Sequence, residues 1–198
     1  MKRILKYGIC FMMNTLKMNR YLLLIGILLS FNCYPQLKPL KDTDLLTKEV
    51  TKNTSFKVDK FEFKIEWIDK LSHSPNLGYL GGIKSLKIYS KGTLINDFIS
   101  IEDEVGLQKF IIEFYDFNLD GTIDFRIRRE CGGRCYYSYY LSNIKTNKFE
   151  NPKEWDYIRV RALDFKNKLL ADQLAGINEG ADIYIVKGNR LIKHLENK

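Results

Sequence analysis

Five oxygen-bearing residues fall at alternate positions of the stretch YDFNLDGTIDFRI, residues 115–127: Asp116, Asn118, Asp120, Thr122 and Asp124. Alternate spacing around a tight turn lets side-chain oxygens converge on one point. Gly121 permits the bend, Thr122 offers its backbone carbonyl, and Asp124 binds directly or through water. Oxygen donors without nitrogen or sulfur select a hard cation, calcium, over zinc or copper. Left empty, such a turn would hold three mutually repelling carboxylates. The plainer alternative is a solvated Asp/Asn/Gly turn with no metal. An EF-hand would place a bidentate glutamate at loop position twelve, where Ile127 stands. Ile123, Phe125 and Ile127 alternate with Asp124, Arg126 and Arg128, which is strand periodicity. The loop is therefore expected to join two strands, with any further ligand supplied from elsewhere. Glu113 and the Glu102-Asp103-Glu104 cluster are the candidates.

A second constellation, RRECGGRCYYSYY, follows at once. Cys131 and Cys135 flank Gly132-Gly133-Arg134, a turn flexible enough to bring two sulfurs together. In an oxidising compartment a disulfide is expected there, with two free thiols as the alternative. A zinc site would need further ligands, and His73 and His194 are the chain's two histidines. Arg126, Arg128, Arg129 and Arg134 lie close in sequence to Tyr136, Tyr137, Tyr139 and Tyr140. Arginine and tyrosine dominate binding hot spots, so Arg134, Tyr136 and Tyr137 are taken as a partner-binding surface. Half of each strand must face inward, so some of these tyrosines belong to the core. Isolated histidines and the lack of a G-x-S-x-G motif give catalysis little support, and the chain is read as a non-enzyme.

The elements around these residues read as strands. In KFEFKIEW, Phe61, Phe63, Ile65 and Trp67 share one face, and Lys60, Glu62, Lys64 and Glu66 the other. GIKSLKIYSKGTLINDFISI reads as a hairpin turning at Lys91-Gly92. QKFIIEFYDF leads into the loop, and YYSYYLSNIKTNKFE gives a tyrosine-rich strand and a polar turn. ADIYIVKGNRLIKHLE closes the chain as a hairpin around Gly188-Asn189. Helix is admitted only at residues 37–50 and 164–175. The expected class is all-β, an antiparallel meander that is propeller-like or a sandwich.

The chain of 198 residues has a formal charge of +8. Its N-terminal stretch MNRYLLLIGILLSFNCYPQ has a basic flank and a short apolar run, the layout of a secretory signal. Residues 1–33 are read as a signal peptide whose start is Met1 or Met18. They hold Lys2, Arg3, Lys6, Lys17 and Arg20 but no acidic residue, so export leaves a charge of about +3. Nucleic-acid binding then has little electrostatic support. Cys33 stands where a lipoprotein signal carries its acylated cysteine, which would attach the protein to a membrane. Phe31 and Asn32 are bulky for that signal, and ordinary cleavage near Gln36 is the alternative. Residues 34–54 are read as a linker and 55–198 as a single β domain in the periplasm or cell envelope.

From the loop onward, YDFNLDGTIDFRIRRECGG, YYSYYLSNIKTNKFE and ADQLAGINEGADIYIVKGNRLIKHLE form a pattern of loop, Gly turn, aromatic strand, Asn-containing turn and hairpin. This resembles the periplasmic calcium-binding lipoproteins of the type IV secretion immunity class, over roughly residues 60–195. The resemblance is sharpest from Asp116 to Phe149. It implies a propeller-like β fold, bound Ca2+ at Asp116, Asn118, Asp120, Thr122 and Asp124, and inhibition of a lysozyme-like peptidoglycan hydrolase. The cysteine pair and the weak lipidation signal depart from that family. FG-GAP and VCBS propeller repeats carry a similar loop, but several times per chain. The expected partner is a secreted peptidoglycan hydrolase or another toxic effector. A calcium-stabilised envelope module that binds glycan or protein is the alternative function.

Overall fold

The computed structural model describes residues 37–76, 78–102, 109–131, 135–172 and 182–194. The expected signal peptide, Cys33, Arg134, Asp103 and Glu104 lie outside them.

Three antiparallel sheets make up the described fold, and no sheet closes into a propeller or barrel. Each contains four consecutive strands laid down in chain order. The first is β3 (Thr54–Val58), β4 (Phe61–Ser74), β5 (Gly78–Ser90) and β6 (Thr93–Glu102). The middle one is β7 (Phe110–Tyr115), β8 (Asp124–Cys131), β9 (Cys135–Asn143) and β10 (Lys148–Glu150). The third is β11 (Val160–Asp164), β12 (Leu169–Asp172), β13 (Ile183–Lys187) and β14 (Arg190–Lys193). Chain reversals use the left-handed backbone that tight hairpins need: Lys91 and Gly92 have φ of 50° and 81°, as their sequence suggested.

Residues 38–50, expected as a linker or short helix, are built into the sheets instead. β1 (Lys38–Pro39) pairs with β11, and β2 (Leu46–Val50) pairs with β7. With β3 following, the N-terminal segment contributes a strand to each sheet in turn. Residues 164–172 likewise extend into β11, a turn and β12 rather than a helix.

Two apolar cores lie on opposite faces of the middle sheet, and strand alternation decides which residue joins which. Phe114, Phe125, Ile127 and Tyr140 meet Phe61, Phe63, Ile65, Leu86 and Ile88 of the first sheet. Tyr139 and Leu141, one position out of phase with Tyr140, meet Trp155, Val160, Leu163, Leu170 and Val186 beside the third sheet. Phe125 stacks on Tyr140 at 4.5 Å, and Phe63 meets Phe114 edge-on at 5.2 Å. Each such buried aromatic or aliphatic side chain contributes about 1.5–3 kcal/mol. The 115–124 loop sits where β7 passes into β8, and its Phe117 and Leu119 are buried in the second core.

Candidate functional site: the 116–124 loop and its surroundings

The loop is organised by aspartates that accept backbone hydrogen bonds. Asp120 N–H donates to Asp116 Oδ1 (2.9 Å), and Gly121 N–H to Asp116 Oδ2 (2.8 Å). Asp120 N–H also reaches Asn118 Oδ1 at 3.1 Å, and Thr122 N–H donates to Asp120 Oδ1 at 2.8 Å. Gly121 takes φ +87°, which glycine adopts without strain, and Leu119 takes +62°. Each accepting oxygen of Asp116 and Asp120 takes one hydrogen bond here and so keeps a lone pair.

Asp124 is the most deeply held of the three aspartates. It is fully buried, and its Oδ2 accepts from the backbone N–H groups of Phe117 (2.8 Å) and Asn118 (3.0 Å). Its Oδ1 accepts from Ser142 N–H at 2.7 Å, fastening the loop to β9. Burial pushes the Asp124 carboxyl well above its ordinary pKa. The Asn118 and Ser142 N–H groups oppose that shift, and the charges of Asp116 and Asp120 add to it. Burial also raises Asp116, against hydrogen bonds from Gly121 and Asp120 and the nearby Lys168 charge. The three aspartates thus feel one another, but Asp124 is turned towards backbone donors rather than a shared point. Among the described residues, no group of three or more His, Cys, Asp or Glu stands in metal-holding geometry. The amide and carbonyl oxygens of Asn118 and Thr122 lie outside that residue set.

Two residues distant in sequence complete the loop, and no local pattern marks them. Lys168, at the β11–β12 turn, donates from its ammonium to the Leu119 carbonyl. Asn189, in the closing hairpin, accepts at Oδ1 from Asn118 Nδ2 (2.8 Å) and donates from Nδ2 to Glu150 (2.7 Å). Its carbonyl receives the Trp155 indole N–H at 2.9 Å. Asn118 Nδ2 also bonds to the Ser142 carbonyl and to Asp120, so the side chain is buried and committed on its donor side.

Glu113, considered above as a further metal ligand, is instead an ion-pair partner. Its Oε2 accepts from Arg126 Nε at 2.7 Å and its Oε1 from Arg128 Nη2 at 2.8 Å. Glu113 and Arg126 face each other in the β7–β8 register, and Tyr139 follows Arg126 in the next strand. Both charges are 5 % exposed. The Arg126 guanidinium lies 3.9 Å from the Tyr137 ring centre and bonds the Tyr139 hydroxyl at 3.2 Å. That hydroxyl donates to the Ile158 carbonyl at 3.1 Å.

The two tyrosines assigned to a partner surface therefore part company. Tyr137 packs half-buried against the second core beneath Arg126. Tyr136 meets Tyr157, which is 73 % exposed, at 5.5 Å edge-on. Cys135 is disulfide-bonded, and the backbone register sets Cys131 opposite it. Of the acidic cluster before β7, only the backbone of Glu102 is described, at the end of β6.

Comparison of the chain with protein-family models, curated proteins and solved structures gives no match.

Proposed function

We propose that the chain is an exported, calcium-clipped β protein that inhibits a lysozyme-like peptidoglycan hydrolase, or an equivalent toxic effector, by occluding its cleft. The observation that carries the metal part is the set of oxygens retained on Asp116, Asn118 and Asp120 within one hydrogen-bonded turn. Three aspartates against the Lys168 ammonium leave the loop, among the described residues, with excess negative charge, which a divalent cation relieves. Asp116, Asn118, Asp120 and the Thr122 carbonyl would hold Ca2+, while Asp124 braces the turn through its backbone bonds. The ion supplies charge neutralisation and rigidity, and takes part in no reaction.

On this reading the three meanders are successive blades of an open, propeller-like array, and the inhibitor works without catalytic groups of its own. The supporting argument is the resemblance of the Asp116–Phe149 stretch to calcium-binding immunity lipoproteins. Export through residues 1–33, with Cys33 as a site for a lipid anchor, would place the protein where such effectors act.

The test is peptidoglycan lysis by a lysozyme-like hydrolase with the purified protein added, in calcium and in chelator. Protection that requires calcium is the expected result. Lysis unaffected in both conditions, with calcium binding intact by calorimetry, would remove the inhibitor reading while leaving the calcium clip. Retention on purified peptidoglycan or polysaccharide would then favour the envelope-binding alternative.

A further inference from the structure

The third sheet departs from the apolar-in, polar-out alternation of an antiparallel sheet with one solvated face. Its inner face puts Leu163, Leu170 and Val186 into the second core. Residues one position along face outward, and they are apolar too. Strand register sets them in two rows, Ala162–Ala171–Ile183 and Leu169–Ile185–Ile192, with Pro39 of β1 opposite Ala162. Among the described residues, neither core cluster includes these six side chains, and Ile192 is 44 % exposed. One step beyond Ile185 and Ile192 on the same side, Lys187 and Arg190 stand opposite each other, both exposed. The first sheet, by contrast, turns the row Ser55–Lys64–Lys87–Asp97 outward, an ordinary solvated surface.

Size, attachment and charge decide what this face meets. Strands about 4.8 Å apart and rows about 7 Å apart give it roughly 24 Å by 14 Å, or about 340 Å2. A stable protein interface takes about 800 Å2 from each partner, so a second copy is not held by this face alone. A surface to which the chain is already attached needs far less area, because attachment raises the effective concentration. Cys33, the lipidation candidate, lies five positions before Lys38, and Lys38–Pro39 is the β1 edge of this same sheet. Five extended residues reach about 17 Å, so a lipid on Cys33 keeps that edge within this distance of the headgroups. Lys187 and Arg190 carry the charge that anionic headgroups attract. Asp164, opposite Leu169, is buried and occupied by the N–H groups of Lys166 and Asn167, so it adds little repulsion.

We propose that the outer face of the third sheet lies on an anionic lipid bilayer. Leu169, Ile185 and Ile192 enter the boundary between headgroups and acyl chains, and Lys187 and Arg190 meet lipid phosphates. The contact fixes how the protein stands on the membrane, with the first sheet left in water. This assignment rests on the export and lipid-anchor part of the reading above and is independent of the inhibitor part.

The experiment is co-sedimentation of the exported form, which begins at residue 34 and keeps every described residue, with lipid vesicles. The vesicles are phosphatidylcholine alone, or phosphatidylcholine with about a third phosphatidylglycerol. Expected is saturable binding to the anionic vesicles with a midpoint on the order of 1 mM lipid. Ile192→Asp and the double variant Lys187→Glu/Arg190→Glu should each weaken it at least about fivefold. Lys57→Glu/Lys87→Glu makes the same charge change on the outer face of the first sheet and should weaken it less than about twofold. All five positions lie on outward faces, and melting temperature checks that each variant is folded. Absence of binding up to about 5 mM lipid, equal binding to both vesicles, or equal losses from the two double variants overturns the assignment. Dimerisation in sedimentation velocity that Ile192→Asp abolishes gives the face to a second copy and also overturns it. The mass of the protein recovered from cells reads signal removal and acylation of Cys33 separately, so the export reading stands or falls on that result and the membrane face on the vesicles.

Discussion

Replacing Glu113 by Gln tests how the middle sheet carries charge. The carboxylate accepts from Arg126 and Arg128, and both it and Arg126 are nearly inaccessible to water. Gln keeps the shape but removes the charge, and it offers Arg126 at most one neutral acceptor. Breaking a buried pair by removing one partner costs about 3–5 kcal/mol, chiefly from the buried charge left behind. Arg128, about a third exposed, regains water and adds little (side-chain exposure 34 %). For a domain of this size, each kcal/mol lowers Tm by roughly 2–4 °C, so a fall of about 6–20 °C is expected. Arg126→Met should cost less, because Glu113 then keeps Arg128 and the thioether occupies the space among Tyr137, Tyr139 and Phe117. In the double variant the two losses should fall short of their sum by about 2–3 kcal/mol in urea or thermal unfolding. Losses additive to within about 0.5 kcal/mol would refute the pairing as a source of stability. Calcium affinity by calorimetry should stay unchanged in Glu113→Gln, and a large loss there would return Glu113 to the metal.

Other consequences centre on the loop. At calcium a hundredfold above its Kd, the protein should gain about 2.7 kcal/mol, or roughly 5–11 °C in Tm over chelator. Asp120→Ala should abolish that difference, and equal melting of the unaltered protein in both conditions would refute the clip. Lys168→Met should tighten calcium severalfold, from about 1 kcal/mol of relieved repulsion, yet lower Tm in chelator because Leu119 loses its hydrogen bond. A change of the same sign in both measurements would argue against a site near that ammonium. Asn189→Ala should cost about 1–3 kcal/mol in denaturant unfolding by leaving Asn118 and Glu150 short of partners. An effect below about 0.5 kcal/mol would show that the closing hairpin does not brace the loop.

Much of this arrangement was legible in the sequence, and the exceptions have physical causes. Alternation placed Phe61, Phe63 and Ile65 on a buried face, and Phe125 and Ile127 opposite Asp124 and Arg126, as the two cores require. It failed at residues 38–50, because β1 has two residues and β2 buries only Val50. Such edge strands are held by pairing with β11 and β7, and pairing leaves no period in composition. Glu113, a candidate ligand by its sequence position, pairs with Arg126 and Arg128, and the sequence held a signal for that pairing. A hairpin that sets Tyr115 opposite Asp124 must also set Glu113 opposite Arg126. Lys168 and Asn189 carried no signal. Their roles arise only when the third sheet folds back onto the loop.

That folding back explains why the loop is placed where it is. Phe117 and Leu119 enter the second core, while Ile123 packs against the first. Asp124 ties the turn to β9, and Asn118 ties it to the closing hairpin through Asn189. The same nine residues thus join elements that belong to different sheets, and the burial this requires raises the pKa of Asp116 and Asp124. A turn under that electrostatic load favours the protonated or metal-bound form over the bare anion. A cation bound there would stabilise the contact between the middle and third sheets together with the turn itself. In amide hydrogen exchange, chelation should then unprotect β13 and β14 along with residues 116–124, and protection lost from the loop alone would confine the clip to a local role.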